Sequence, residues 1–321
     1  MLKATDKKNR PPTRPWSPPK DGSIRTHAGE KIDSKGDFFA APPPDIGTVR
    51  SAYTTLHKTK RPRPLIVQIA IGAGITALGA GLGLVVNWVF SIHTGFWMYF
   101  WPAAGASIGL LGGSTMATFA HFCSYVGTKG MVKIACSGRR KNTRWAYRFL
   151  FSTASELRTN VAEHYMNNVY QRTDYRFTWT DAQGRRQCLI SGSHTSEDNH
   201  PPADDDFHLA RAAERSWTMY LLEKTAPLLD EDGYVQFNLH GKDHLRVGSG
   251  FLEVYQKGKR HRCHTDDIAE LSLVGGTFIL KRKDARIGWL RRSGVYAFEY
   301  SDLANASLFL ILLERLVGFG L

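Results

Sequence analysis

His240, His244, Cys263 and His264 are side chains of the kinds that hold zinc, and they fall in neighbouring predicted strands. Their spacing is not that of a zinc finger. Histidines in exposed loops account for the pattern, and no metal is expected. Asp266, Asp267, Glu270 and Glu299 supply carboxylates, but not as a recognisable acid and base pair, because alternate residues of a strand face opposite sides. No phosphate-binding loop, nucleophile elbow or HExxH helix occurs. The chain therefore reads as non-enzymatic, with no catalytic residue and no cofactor.

Two other sets of residues could do physical work. Lys257, Lys259, Arg260 and Arg262, with Lys281, Arg282, Lys283, Arg286, Arg291 and Arg292, could gather an anionic lipid headgroup or face a membrane surface. The alternative is that they only keep a surface soluble. Gly72, Gly79, Gly83, Gly105, Gly109 and Gly113 include glycines at every fourth position, which lets helix backbones approach closely. They are candidates for packing one helix on another within the chain, and self-association is their other use.

These glycines lie in a stretch, residues 64–128, that contains no Asp, Glu, Lys or Arg. A run of about 18 apolar residues already suggests a membrane span. The stretch is expected to form two spans, about 65–92 and 102–126, joined by an aromatic loop that contains Trp97, Tyr99 and Trp101. Lys58, Lys60, Arg61 and Arg63 precede it, and Lys129, Lys133, Arg139, Arg140, Lys141, Arg144 and Arg148 follow it. Basic residues are retained on the cytoplasmic side, so both ends are predicted to be cytoplasmic. The net charge of +13 is then largely a topology signal, and no nucleic-acid partner is expected. No intramembrane ion pathway is expected either, since the spans carry no ionisable carboxylate or cation.

The polar remainder brings the mean hydropathy down to −0.30. Residues 1–63 form a basic, proline-rich tail whose composition predicts disorder, with polyproline II docking as a second use. Residues 129–152 read as a basic juxtamembrane linker. Residues 153–232 read as a helix over 153–170, a β-hairpin through YRFTWT and RRQCLIS, and a helix from Asp204 to about Leu228. Residues 233–321 read as short strands broken by turns and closed by one amphipathic helix. Cys123, Cys136, Cys188 and Cys263 have no CxxC spacing, and no disulfide framework is expected.

The segment from Phe251, FLEVYQKGKRHRCHTDDIAELSLVGGTFILKRKD, followed by GVYAFEYSDLANASLFLILLERL, resembles the bacterial pleckstrin-homology-like domains, some of which are attached to membrane hairpins. The resemblance covers about a third of the chain. It implies a partial barrel capped by the terminal helix, and a role in binding or assembly. The expected fold class is α+β: a two-helix transmembrane hairpin followed by a cytosolic antiparallel β domain. The expected function is a membrane-tethered scaffold or sensor at the inner face of the plasma membrane, binding a protein partner or itself. The alternative is an accessory subunit of a transport complex that acts through the glycine-rich hairpin.

Overall fold

The computed structural model describes residues 14–19, 21–58, 65–90, 96–117, 120–137, 143–196, 201–287 and 292–319. Among them the chain is α+β, and its sheets are antiparallel meanders.

The first sheet joins β1 (Val49–Thr54), β2 (Ala120–Gly127), β3 (Gly130–Ser137) and β4 (Thr143–Leu150) in that order. Two helices, α1 (Leu65–Val89) and α2 (Phe96–Ala117), are inserted between β1 and β2. The second sheet is β5 (Glu156–Met166), β6 (Val169–Thr180) and β7 (Arg186–His194), and α3 (Asp206–Asp232) packs against both. The side chain of Asp205 caps α3 by accepting from the Phe207 N–H at 2.8 Å, and Gly233 ends it in the left-handed conformation. The core between these sheets contains Phe151, Phe177, Trp179 and Trp217, all fully buried. Each aromatic ring of this kind contributes about 2 to 3 kcal/mol by leaving water.

The same order then repeats. A four-stranded meander contains β8 (Tyr234–Asn238), β9 (His244–Gly248), β10 (Phe251–Gln256) and β11 (Lys259–His264). A three-stranded meander follows, β12 (Ile268–Val274), β13 (Thr277–Ile287) and β14 (Arg292–Glu299), and α4 (Ala306–Val317) closes the second module. Its core runs from Val235 and Leu245 through Phe278 to Phe309 and Leu313. Left-handed Lys257–Gly258 and Gly275–Gly276 turns close two of its hairpins. The chain thus contains two modules of four strands, three strands and a helix.

Several sequence-based expectations are corrected here. Residues 21–58 are not a disordered tail. Apart from β1, which is the edge strand of the first sheet, they drape across its outer face, where Phe38, Phe39, Ile46 and Leu56 pack on Cys123, Tyr125, Val132 and Ile134. The Tyr125 hydroxyl donates to the Ala40 carbonyl, and the buried ring of His27 lies between Ser51 and Ser124. Residues 1–13 lie outside the described residues. The expected second span does not reach 126: α2 stops at Ala117 and β2 begins at Ala120, with Cys123 and Tyr125 in a β core. Phe96 to Trp101 belong to α2 and not to a loop. The supposed juxtamembrane linker is largely β3 and β4, and the helix expected over 153–170 is replaced by the β5–β6 hairpin.

Among the described residues one helix, over Ile69–Val89, is long and apolar enough to cross a membrane. α2 has no charged residue either, but its Trp and Tyr residues, Pro102 and four glycines lower its hydropathy. α1 and α2 pack along each other, and their outer residues are exposed, including Leu78, Leu82, Trp88, Tyr99 and Ile108.

Candidate functional site

The outer face of the β8–β11 sheet carries an ordered set of charges and rings. The register places Gln236 opposite Arg246, Arg246 opposite Glu253, and Glu253 opposite Arg262, so one residue from each strand contributes to a single cross-strand row. Inward residues such as Leu245, Leu252 and Val254 hold the other face in the core, and strict alternation sends this row outward.

Glu253 is the centre of the row and only 1 % exposed. Its carboxylate meets Arg260 at 2.8 Å, Arg262 at 3.0 Å and Arg246 at 3.5 Å. Burial pushes its pKa up, but the hydrogen bonds and charges of Arg260 and Arg262 outweigh that and hold it below the ordinary value of 4.5. Arg246 also donates to Gln236 Oε1 at 3.1 Å and lies over the Tyr234 ring, while Arg262 lies over Phe251. On the other side of the row His244 stacks on Tyr255 at 4.7 Å. Three guanidinium groups around one carboxylate leave this face with surplus positive charge. Arg260 and Arg262 remain accessible enough to accept a carboxylate or phosphate from outside.

The basic residues singled out in the sequence do not form one patch. Arg262 is part of the row just described, and Arg260, opposite Tyr255, reaches its Glu253 diagonally. Lys257 and Lys259 sit at the β10–β11 turn, and the Lys257 N–H donates to Asp243. Lys281, Arg282, Lys283 and Arg286 belong to β13 in the other sheet, where Arg282 is paired with Asp284 at 3.0 Å. Arg292 opens β14, and Arg291 lies outside the described residues. The flank used to orient the helices is also partly engaged: Lys133 pairs with Asp206 at 2.7 Å and Arg148 with Asp45 at 2.7 Å.

The glycines behave differently. A Cβ on Gly79 would collide with the Gly105 carbonyl, one on Gly83 with Trp101 and Pro102, and one on Gly109 with Ile75 and Thr76. Gly79, Gly83, Gly105 and Gly109 therefore line the seam where α1 and α2 touch backbone to backbone. Gly74 and Gly81 face open space. Gly72 lies earlier on α1, where its carbonyl accepts from Thr76, and Gly113 lies near the end of α2.

The potential metal ligands are dispersed. Cys263 is in the core, His264 opens the short turn Thr265–Asp267, His244 is stacked, and His240 is near Asp302 at 3.9 Å. Asp267, Glu270 and Glu299 each accept locally, from His264, Ser272 and Thr277. All four thiols are free and buried, and burial pushes Cys123 up to about 11 and Cys188 up to about 12, which makes them poor nucleophiles. A polar cleft of about 480 Å³ lies between the modules, lined by Glu156, Arg158, Asp181, Asn238 and Asp243. Arg158 is committed to the carbonyls of Asp302 and Leu239.

The chain matches no protein-family model and no curated protein. Sequence reasoning identified Arg260 and Arg262 but missed Glu253, Arg246 and Gln236. Only the strand register, fixed by the intervening turns, brings these together.

Proposed function

We propose that this chain is a membrane-anchored, non-enzymatic assembly protein: α1 and α2 cross the inner membrane as a hairpin and hold two cytoplasmic β-modules against it. The observation that carries this reading is a helix pair whose described outer side chains are apolar and exposed, from Ile66 to Val89 on α1 and from Tyr99 to Leu110 on α2, with both helices inserted between paired strands. β1 and β2 pair from Thr54↔Cys123 onward, so the chain leaves and returns at one place. Water does not favour such a surface; hydrocarbon does. The pairing supports a topology in which the described residues before α1 and those from Ala120 onward share one side. The Lys and Arg residues before α1, together with Arg139, Arg140 and Lys141, argue that this side is cytoplasmic.

The second module fits the pleckstrin-homology-like resemblance in its strand order and closing helix, and the first module repeats that order. In the first module the outer face of the four-stranded sheet is covered by the chain's own segment before β1, through Phe38, Phe39 and Ile46, and by Leu56 after it. In the second, the corresponding face is the open Arg and aromatic row, suited to an acidic protein segment. Packing of the seam glycines against each other favours this reading over a transport subunit working through the hairpin, because those glycines are already used within the chain.

The test is alkaline carbonate extraction of membranes followed by protease protection, then recovery of partners from mild detergent with wild-type protein and with Arg260→Glu/Arg262→Glu. Retention in the membrane pellet, cleavage only from the cytoplasmic side, and a partner lost on the double substitution support the proposal. Release by carbonate refutes the anchor. A partner that survives the substitutions refutes the docking face.

A further inference from the structure

The β5–β6 hairpin is longer than its sheet requires. β7 pairs with β6 only from Thr173↔His194 onward, so residues 165–172 extend past the edge of the sheet. The turn is Asn167–Asn168, both left-handed at φ 52° and 62°, which gives a tight two-residue reversal. Around it Tyr165 is 60 %, Met166 63 % and Val169 61 % exposed. The Tyr165 ring meets Tyr170 edge to face at 5.8 Å. Below the tip, His164 and Arg172 pair with Asp174 and the Tyr165 hydroxyl donates to Glu163, so the stem is charged while Tyr165, Met166 and Val169 set exposed apolar surface on either side of the Asn167–Asn168 turn.

The direction of the hairpin follows from what flanks it. α3 starts beside the middle of the first sheet, where Asp206 meets Lys133, itself opposite Ser124. It runs away from the helix roots, since the Ser216 hydroxyl donates to the carbonyl of Gly127 at the other end of β2. β6 runs alongside α3 in the same sense: Tyr175 packs on Phe207, whereas Leu157, opposite Trp179, shares Asn305 with Trp217. Followed backwards from Tyr175 to Val169, β6 therefore heads towards the end where α1 and α2 attach, over about 20 Å at 3.3 Å per residue. From Ser124 back to Ala120, β2 covers about 13 Å in that direction. The apolar tip and the helix roots lie at the same end of the module.

We propose that Tyr165, Met166 and Val169 form an interfacial wedge that enters the headgroup region of the leaflet facing the modules. Tyrosine places an apolar ring and a polar tip where lipid meets water, and Met and Val supply the shallow hydrocarbon contact. Together with the two helices, the wedge gives the first module a third point of attachment and fixes its tilt. This inference rests on the membrane reading of α1 and α2.

The test uses the full chain in phospholipid nanodiscs, with an environment-sensitive fluorophore at one introduced cysteine. The four native thiols are buried and do not compete for label. Met166→Cys and Val169→Cys probe the tip, Leu82→Cys the exposed flank of α1, and Gln183→Cys the β6–β7 turn at the opposite end. The expected result is loss of emission at Met166 and Val169 with headgroup nitroxide lipid, loss at Leu82 with a deep acyl nitroxide, and none at Gln183. Tip probes open to aqueous iodide and not quenched by headgroup nitroxide, with Leu82 still quenched, overturn the wedge and leave the anchor standing. A Leu82 probe that is not quenched overturns the membrane reading and the wedge with it.

Discussion

Asn305 and Leu157 bind each other twice across the junction of the two modules: the Asn305 N–H donates to the Leu157 carbonyl at 2.8 Å, and the Leu157 N–H donates to Asn305 Oδ1 at 2.9 Å. The same Oδ1 accepts from Trp217 Nε1 at 2.9 Å, and Nδ2 donates to the Ser155 carbonyl at 3.1 Å. One residue at the start of α4 thus mimics a strand edge for β5 and caps a buried indole. Nearby, Glu214 of α3 accepts from Thr159 and from Ser307, closing a second polar link between the modules.

Asn305 also adopts left-handed backbone angles, φ 56° and ψ 40°, which separates two effects experimentally. Asn305→Gly keeps the backbone conformation but loses three side-chain bonds and leaves the Trp217 N–H unpaired. It should cost about 2 to 3 kcal/mol. Asn305→Ala adds a left-handed penalty of about 1 kcal/mol. Calorimetry should show both variants unfolding earlier, Ala more than Gly, with the two modules melting separately. A single unchanged transition would mean that Asn305 does not couple them.

His27 makes the wrapped N-terminal segment sensitive to pH. Its ring lies 2.8 Å from Ser51 Oγ and 2.9 Å from Ser124 Oγ, and burial, reinforced by His208, Arg215 and Lys133, pulls its pKa from 6.5 down to about 3. The unfolded chain takes up a proton below pH 6.5 that the folded state refuses. Stability is therefore complete above that pH and falls as pH drops towards the folded value, by about 1.4 kcal/mol near pH 5.5. Hydrogen exchange at the Thr26 and Ala52 amides, both bonded within or onto the wrap, should accelerate between pH 7.5 and 5.5 beyond its intrinsic dependence. His27→Gln should remove that excess.

The contrast between what was legible and what was not has specific causes. Most strands from Tyr234 onward show because they are short, alternate, and are separated by glycine-containing turns at Gly241, Gly250, Gly258 and Gly275–Gly276; β11 and β14 end instead at the short turns Thr265–Asp267 and Tyr300–Asp302. β2 was hidden because Ala120–Val126 follows α2 with no charge or turn residue between them, so an apolar strand reads as more helix. β5 was misread because Leu157, Val161 and Tyr165 satisfy helical spacing as well as alternation, and only the left-handed pair Asn167–Asn168 breaks the tie. Phe38, Ile46 and Leu56 have no periodicity because they lie in a segment draped over a sheet, whose regular structure outside β1 is a single 3-10 turn, Pro44–Ile46. The row through Gln236, Arg246, Glu253 and Arg262 depends on three turns setting register, information that no local window contains.

The α1–α2 seam gives a prediction with an internal control. Gly79→Leu and Gly105→Leu put branched side chains where the opposing backbone already sits, and overpacking of this kind costs about 1 to 3 kcal/mol. Gly81→Leu, on the same helix but facing open space, should be close to neutral. Thermal unfolding in detergent should separate the two classes. Equal behaviour of Gly79→Leu and Gly81→Leu would remove the seam.

Glu253 tests whether the open face is held together by one carboxylate. With Glu253 ionised, Arg246, Arg260 and Arg262 share a single anion; without it, three guanidinium groups on adjacent strands repel each other. Because its folded pKa lies below the ordinary 4.5, its stabilisation is present above that value and disappears as pH falls through the folded pKa. Glu253→Gln preserves shape and one acceptor oxygen but removes the charge, and should lower stability at pH 7 by about 1 to 2 kcal/mol. The same substitution should abolish the acid sensitivity assigned to this site. Urea unfolding at pH 7 and pH 4 measures both effects. If Glu253→Gln matched the wild type at pH 7, the arginines would be held by their rings, Tyr234 and Phe251, and the carboxylate would be incidental.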